Sequence, residues 1–152
     1  MITIRRLEER DAEAVSALIR ETMQISNSRD YPPELLRGLP PEKVLERARW
    51  THFYVVEEGE ELVGCGAIGP YWGSEDESSF FTIFVRPDHQ GRGIGRKIVE
   101  TLEADEFALR ARRIEIPASI TALPFYQKMG YTFKPGHEEP DEELIYRLEK
   151  YR

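Results

Sequence analysis

Residues 80 to 97 constrain the fold of this 152-residue chain more than any other segment. An apolar run of strand length, Phe80 to Val85, stops at Arg86-Pro87. Gly91, Gly93 and Gly95 then alternate with other residues. Ile94, Ile98, Val99, Leu102 and Phe107 follow at helical spacing. The run reads as a central strand covered on both faces, and the glycines as a turn straight into a helix carrying all five apolar residues. Glycines let successive backbone N–H groups point the same way, and a helix N-terminus adds its own unpaired N–H groups and the positive end of its dipole. The turn is therefore a candidate cradle for a phosphate or diphosphate, with Arg92, Arg96 and Lys97 beside it. The same residues would equally serve as a solvated basic turn.

The elements around this unit follow from periodicity. Ile2 and Ile4 alternate with polar residues as a first strand. Ala12, Val15, Leu18, Ile19 and Met23 recur at helical spacing behind Asp11, whose charge suits a helix N-terminus. Gln24 to Pro41 is irregular, with a short helix around Glu34 to Arg37. A second helix runs from Glu42 to Arg49, started by Pro40-Pro41. Phe53 to Val56 and Leu62 to Ile68 form a hairpin about Glu58-Gly59-Glu60; Gly69-Pro70 ends it, and Tyr71 to Ser78 is an exposed loop. Beyond the glycine turn come a strand at Ile114 to Ile116, a helix at Thr121 to Met129, a strand at Tyr131 to Phe133 and a last strand at Leu144 to Leu148. The order β-α-α-β-β-β-α-β-α-β-β describes an α/β chain with a mixed sheet and helices on its faces. No repeat or linker divides it, so a single domain over residues 1–152 is expected.

Composition narrows the function classes. With 21 Lys+Arg against 28 Asp+Glu the formal charge is −7, which argues against nucleic acid or an anionic membrane as partner. One cysteine and three histidines leave neither a disulfide nor a zinc set. There is no signal-peptide h-region and no apolar run of membrane-spanning length, so a cytoplasmic protein without membrane or nucleic-acid partners is expected.

The turn is neither a dinucleotide fingerprint, which needs glycine at Arg96, nor a Walker A motif, which needs Ser or Thr after a Gly-Lys pair. Gln90-x-x-Gly93-x-Gly95 instead resembles the acyl-CoA diphosphate loop of the GNAT superfamily of N-acetyltransferases. A second segment, Ser119 to Tyr131, is similar to that family's Asn-x-x-Ala-x-x-Phe-Tyr-x-x-x-Gly-Phe/Tyr pattern. Ala122, Phe125, Tyr126, Gly130 and Tyr131 are in register, and Ser119 stands where Asn is usual.

The resemblance implies a mostly antiparallel central sheet whose fourth and fifth strands splay apart. Acetyl-CoA would lie in the opening, its pantetheine on the edge of Ile83, Phe84 and Val85 and its diphosphate on Gln90, Gly91, Arg92, Gly93, Ile94, Gly95, Arg96 and Lys97. Ser119, Ala122 and Phe125 would lie against the cofactor, and Tyr126 would protonate the departing thiolate. A small-molecule or peptide amine would attack the thioester directly. The position where many relatives carry a catalytic Glu is Ser79 here; Glu77 could act as base through a water, and a bulk-water route stays open. The acceptor would meet Asn27 and Tyr31 after the first helix, and Tyr71 and Trp72 after the third strand. The acids Glu75, Asp76 and Glu77 favour a cationic amine only weakly, since a charge run is usually a solvated face. His89 reads as a solvent-facing loop residue, and Cys65 as a small buried apolar one. Homodimerisation is compatible with such a domain, although no self-complementary pattern supports it. The alternative to an enzyme is a non-catalytic acyl-CoA sensor on the same fold.

Overall fold

The computed structural model describes residues 1–152. Its strands are β1 (Ile2–Arg6), β2 (His52–Glu58), β3 (Glu61–Pro70), β4 (Glu77–Val85), β5 (Arg113–Ser119), β6 (Thr132–Phe133) and β7 (Ile145–Tyr151). Its helices are α1 (Ala12–Ser26), α2 (Pro41–Trp50), α3 (Ile94–Glu103), α4 (Glu106–Leu109) and α5 (Leu123–Lys128). The strands form one sheet in the order β1-β2-β3-β4-β5-β7-β6. Every pairing is antiparallel except β4 with β5. The mixed α/β class expected from sequence is observed, and the order of strands and helices matches except for the additional short helix α4.

Each face of the sheet buries one helix stripe. Val15, Leu18 and Ile19 of α1, with Val44 of α2, pack on Phe53, Val55, Cys65 and Ala67. On the other face Ile94, Ile98, Val99 and Leu102 of α3 pack on Val56, Val63, Ile68, Phe80 and Ile114. Full burial of such side chains contributes about 1.5–3 kcal/mol each. Helix α3 lies close against β3 because Gly66 offers no side chain: a Cβ there would sit 2.6 Å from Ile98 Cγ2. That close approach fixes the N-terminus of α3 at the far end of β4.

Strands β4 and β5 pair only at Glu77↔Arg113, Ser78↔Ile114 and Ser79↔Glu115, and then part. Two features separate them. Against β3, Cys65 pairs with Phe84 and Ala67 with Phe81, so Thr82 and Ile83 together face Gly66. This β-bulge holds Thr82 at φ +56° and bends the strand. On β5, Pro117 has no N–H to offer a neighbour. The expectation that Phe80 to Val85 is covered on both faces is therefore corrected: Phe80 is buried, but Phe81, Ile83 and Phe84 are half-exposed along an open edge.

Other boundaries shift for local reasons. Gly69 and Pro70 stay within β3, paired with Ser79 and Ser78, so β4 starts at Glu77 inside the expected loop. The expected single helix from Ile94 to Phe107 ends at Glu103, because Asp105 adopts φ −70°, ψ 152° and caps α4 by accepting the Phe107 N–H at 2.8 Å. His52 and Tyr54 of β2 also bind the Asp105 carboxylate, at 2.9 and 2.5 Å, locking the break in place. No helix is long and apolar enough to cross a membrane.

Candidate active site

The glycine turn is a built cradle. Gly91 and Gly93 both sit at φ +80°, where side chains are strained, and a Cβ at either would meet nothing within 4 Å. The first helical bond of α3 is Lys97 N–H to Gly93 O at 3.2 Å. The amides of residues 91 to 96 consequently donate to no backbone carbonyl, giving consecutive free donors beside the positive end of a ten-residue helix. Such a donor set suits a diphosphate. Gln90 Nε2 braces the turn, donating to Val85 O at 3.0 Å and Ser26 Oγ at 2.9 Å.

His89 is not solvent-facing, contrary to expectation. Its ring is buried between Asp88 (2.7 Å from Nδ1) and Glu58 (2.9 Å from Nε2), and these two carboxylates hold its pKa above the ordinary value. Glu58 also takes Arg92 Nη2 at 2.7 Å. This chain of charges ties the turn to the β2–β3 hairpin.

A cleft of about 490 Å³ runs from the cradle into the gap between β4 and β5. The structure brings Ile83, Phe84, Val85, Gln90, Gly91, Gly93, Ile94, Gly95, Arg96, Ser119, Ala122, Phe125 and Tyr126 together around it, with Asn27 at the α1 side. Phe125 lies under Gly95, whose Cβ would meet its ring at 3.2 Å. Ser119 Oγ accepts the Ala122 N–H at 3.1 Å and so shapes the entry to α5. Gly130 ends that helix region at φ +98°.

Tyr126 stands where the cleft meets a second chamber of about 290 Å³, and lines both. Its side chain is buried, and burial pushes its phenol well above the ordinary pKa. Arg86 Nε is the one buried side-chain nitrogen or oxygen without a partner. The Tyr126 hydroxyl makes no protein hydrogen bond, so it must open to the cavities.

Some expected residues lie elsewhere. Arg92 is held by Glu58, and neither it nor the exposed Lys97 lines the cleft. Glu77 is clamped by Arg112 at 2.9 Å and faces Arg113 at 4.0 Å, at the end where β4 and β5 still pair; it lines neither cavity. Tyr31 borders the second chamber, but its hydroxyl is spent on structure, accepting the Ile120 N–H and donating to Leu144 O, both at 2.7 Å. Tyr71 and Trp72 line a third cavity. Sequence reasoning missed several residues that line the second chamber, among them Met23, Leu35, Leu36, Phe81, Pro117 and Glu143. The apolar pair Leu35-Leu36 within a Pro-rich irregular stretch was a usable signal; Glu143 in an acidic loop gave none.

The fold is shared with known proteins. A family model described as the acetyltransferase (GNAT) domain matches residues 49–133, more than half of the chain. The chain belongs to the GNAT acetyltransferase family. Among solved structures similar to this GNAT protein is the PaiA N-acetyltransferase of Thermoplasma acidophilum in complex with coenzyme A. It superposes with a TM-score of 0.83 at 16% identity, over 100% of this chain and 99% of that one. An N-acetyltransferase from Rhodopseudomonas palustris gives 0.78 at 20% identity, over 99% and 95%. The N-acetylglutamate synthase of Neisseria gonorrhoeae, complexed with coenzyme A and N-acetyl-glutamate, gives 0.78 at 16% identity, over 99% of this chain and 35% of that one.

Proposed function

We propose that this GNAT protein is an N-acetyltransferase that uses acetyl-CoA and acetylates an amine by direct attack. The observation that carries the reading is the continuity of free amides, open strand edge and Tyr126 phenol along one cleft. The amides of residues 91 to 96 would hold the diphosphate, and the edge of Ile83 to Val85 the pantetheine. The coenzyme A found in the Thermoplasma and Neisseria structures supports this choice of donor. Bound acetyl-CoA would supply the thioester carbonyl at the junction of the two chambers.

Tyr126 serves as general acid: a phenol kept neutral by burial can donate a proton to a leaving thiolate. Direct attack is favoured by the state of Cys65, whose thiol is buried, donates to Thr82 O at 3.2 Å and is pushed up to about 12. No dedicated base is assigned, because Glu77 is clamped by arginine and Ser79 carries no charge. The acceptor amine loses its proton to water, and catalysis rests mainly on positioning.

The experiment is steady-state thiol release with acetyl-CoA and a panel of amines, varying both substrates. Intersecting double-reciprocal lines are expected; parallel lines would indicate a covalent acetyl-enzyme and overturn direct attack. Tight acetyl-CoA binding without turnover of any amine would replace the enzyme with a sensor.

A further inference from the structure

The third cavity, about 560 Å³, adjoins the chamber that holds Tyr126, and Phe81 is a wall of both. Trp50, Tyr71, Trp72 and Phe81 form its apolar walls, and Glu115 and Arg147 its charged ones. Trp50 meets Phe81 edge-on at 5.0 Å, and Tyr71 meets Trp72 edge-on at 6.2 Å. Trp72 is 89% exposed and held at φ +49°, a conformation that strains any residue but glycine. A large indole kept strained and wet at a cavity rim gains little from the fold, and much from a flat apolar occupant.

The charges around the cavity select the rest of that occupant. The Tyr71 ring already faces Arg113 at 5.2 Å and Lys134 at 5.4 Å, and Arg47 lies 6.0 Å from the Phe81 ring centre. Glu115 is buried and bound by Arg113 and by Lys134 at 3.1 Å. Arg147 is different: its approaches to Glu115 and Asp141 are 3.7 and 4.0 Å, both too long for hydrogen bonds. Arg147 lines the cavity and its guanidinium donates no hydrogen bond within the protein, which leaves a planar donor set of the kind a carboxylate takes up in a bidentate way. Of the three acids that weakly favour a cationic amine, Asp76 and Glu77 are consumed by Arg112.

We propose that the cavity holds the ring and the carboxylate of the acceptor, which is an aromatic amino acid or a molecule of that class. The ring lies among Trp50, Trp72 and Phe81, the carboxylate on Arg147, and the amine passes Phe81 into the chamber beside Tyr126. This inference rests on the N-acetyltransferase reading. In the transfer the new N–C bond replaces the C–S bond. The electron pair leaves on sulfur, which takes a proton from Tyr126. The ammonium gives up two protons to solvent, one of which is returned to the phenol.

The test compares four acceptors with acetyl-CoA: L-phenylalanine, phenethylamine without the carboxylate, L-alanine without the ring, and spermidine. The expected kcat/KM for L-phenylalanine exceeds each of the others at least tenfold. Arg147→Met should cut the phenylalanine-to-phenethylamine ratio at least tenfold. Independently of any variant, L-phenylalanine should change the indole fluorescence of the native protein held with coenzyme A. Preference for spermidine, a ratio indifferent to Arg147→Met, or a silent fluorescence titration would each overturn the inference. Turnover of spermidine alone would leave the acetyltransferase intact and remove only this acceptor class; failure to bind acetyl-CoA would remove both.

Discussion

Tyr126 combines two conditions that general acid catalysis needs at a leaving sulfur: it keeps its proton, and its hydroxyl has no competing protein partner. Tyr126→Phe removes one oxygen from the boundary of the two chambers and leaves the ring packing. The expected result is a fall in kcat of roughly 10²-fold with little change in KM for acetyl-CoA. A variant as fast as the native protein removes the role. The buried Cys65 makes the opposite case: with its thiol near 12 and no exposure, it should not react with a thiol reagent in the folded state. One equivalent should react after denaturation, and reaction of the native protein at mild alkaline pH would contradict the burial described. Residue chemistry of this kind was partly legible in sequence. Tyr126 and the glycines carry recognisable patterns, whereas Glu77 did not reveal that Arg112 and Arg113, distant in sequence, would neutralise it.

At the scale of elements, the site is made by a disagreement between two strands. The bulge at Thr82 and the proline at position 117 part β4 from β5, and the glycine turn begins where β4 ends. Apolar periodicity located both strands, but it cannot show that they separate, because separation depends on register and not on composition. The split of α3 from α4 was hidden for a similar reason: the Asp105 cap that starts α4 is held in place by His52 and Tyr54 of β2, which are distant in sequence. The cradle itself admits a direct test. Gly93→Ala places a side chain at φ +80°, with a strain of about 1–2 kcal/mol, although space for the methyl exists. A melting temperature lowered accordingly and weaker acetyl-CoA binding are expected together. Unchanged binding in a folded variant would mean that the turn does not hold the diphosphate.

Across the whole molecule, ion pairs set how stability depends on pH. Asp88 and Glu58 raise the folded pKa of His89 above its ordinary 6.5, so that its pairing stabilises fully below about 6.5 and is lost as pH rises through the folded value. Arg5 lowers the pKa of Asp11 and Glu57, and Arg92 that of Glu58; their stabilisation is present above the ordinary carboxylate range and is lost as pH falls through the folded values. Thermal stability should therefore be greatest on the mildly acidic side of neutral, and His89→Gln should flatten the decline above it. An unchanged profile would show that the His89 pairing contributes nothing. The most direct measurement on the molecule is a thermal-shift titration with acetyl-CoA beside NAD and ATP. At a hundredfold excess over its dissociation constant, acetyl-CoA should add about 2.7 kcal/mol. For a chain of this length that is a rise of roughly 5–10 °C in Tm, with NAD and ATP giving little. No shift at saturating acetyl-CoA, or an equal shift from all three ligands, would contradict a donor site built from the residue 91 to 96 amides and the parted strands.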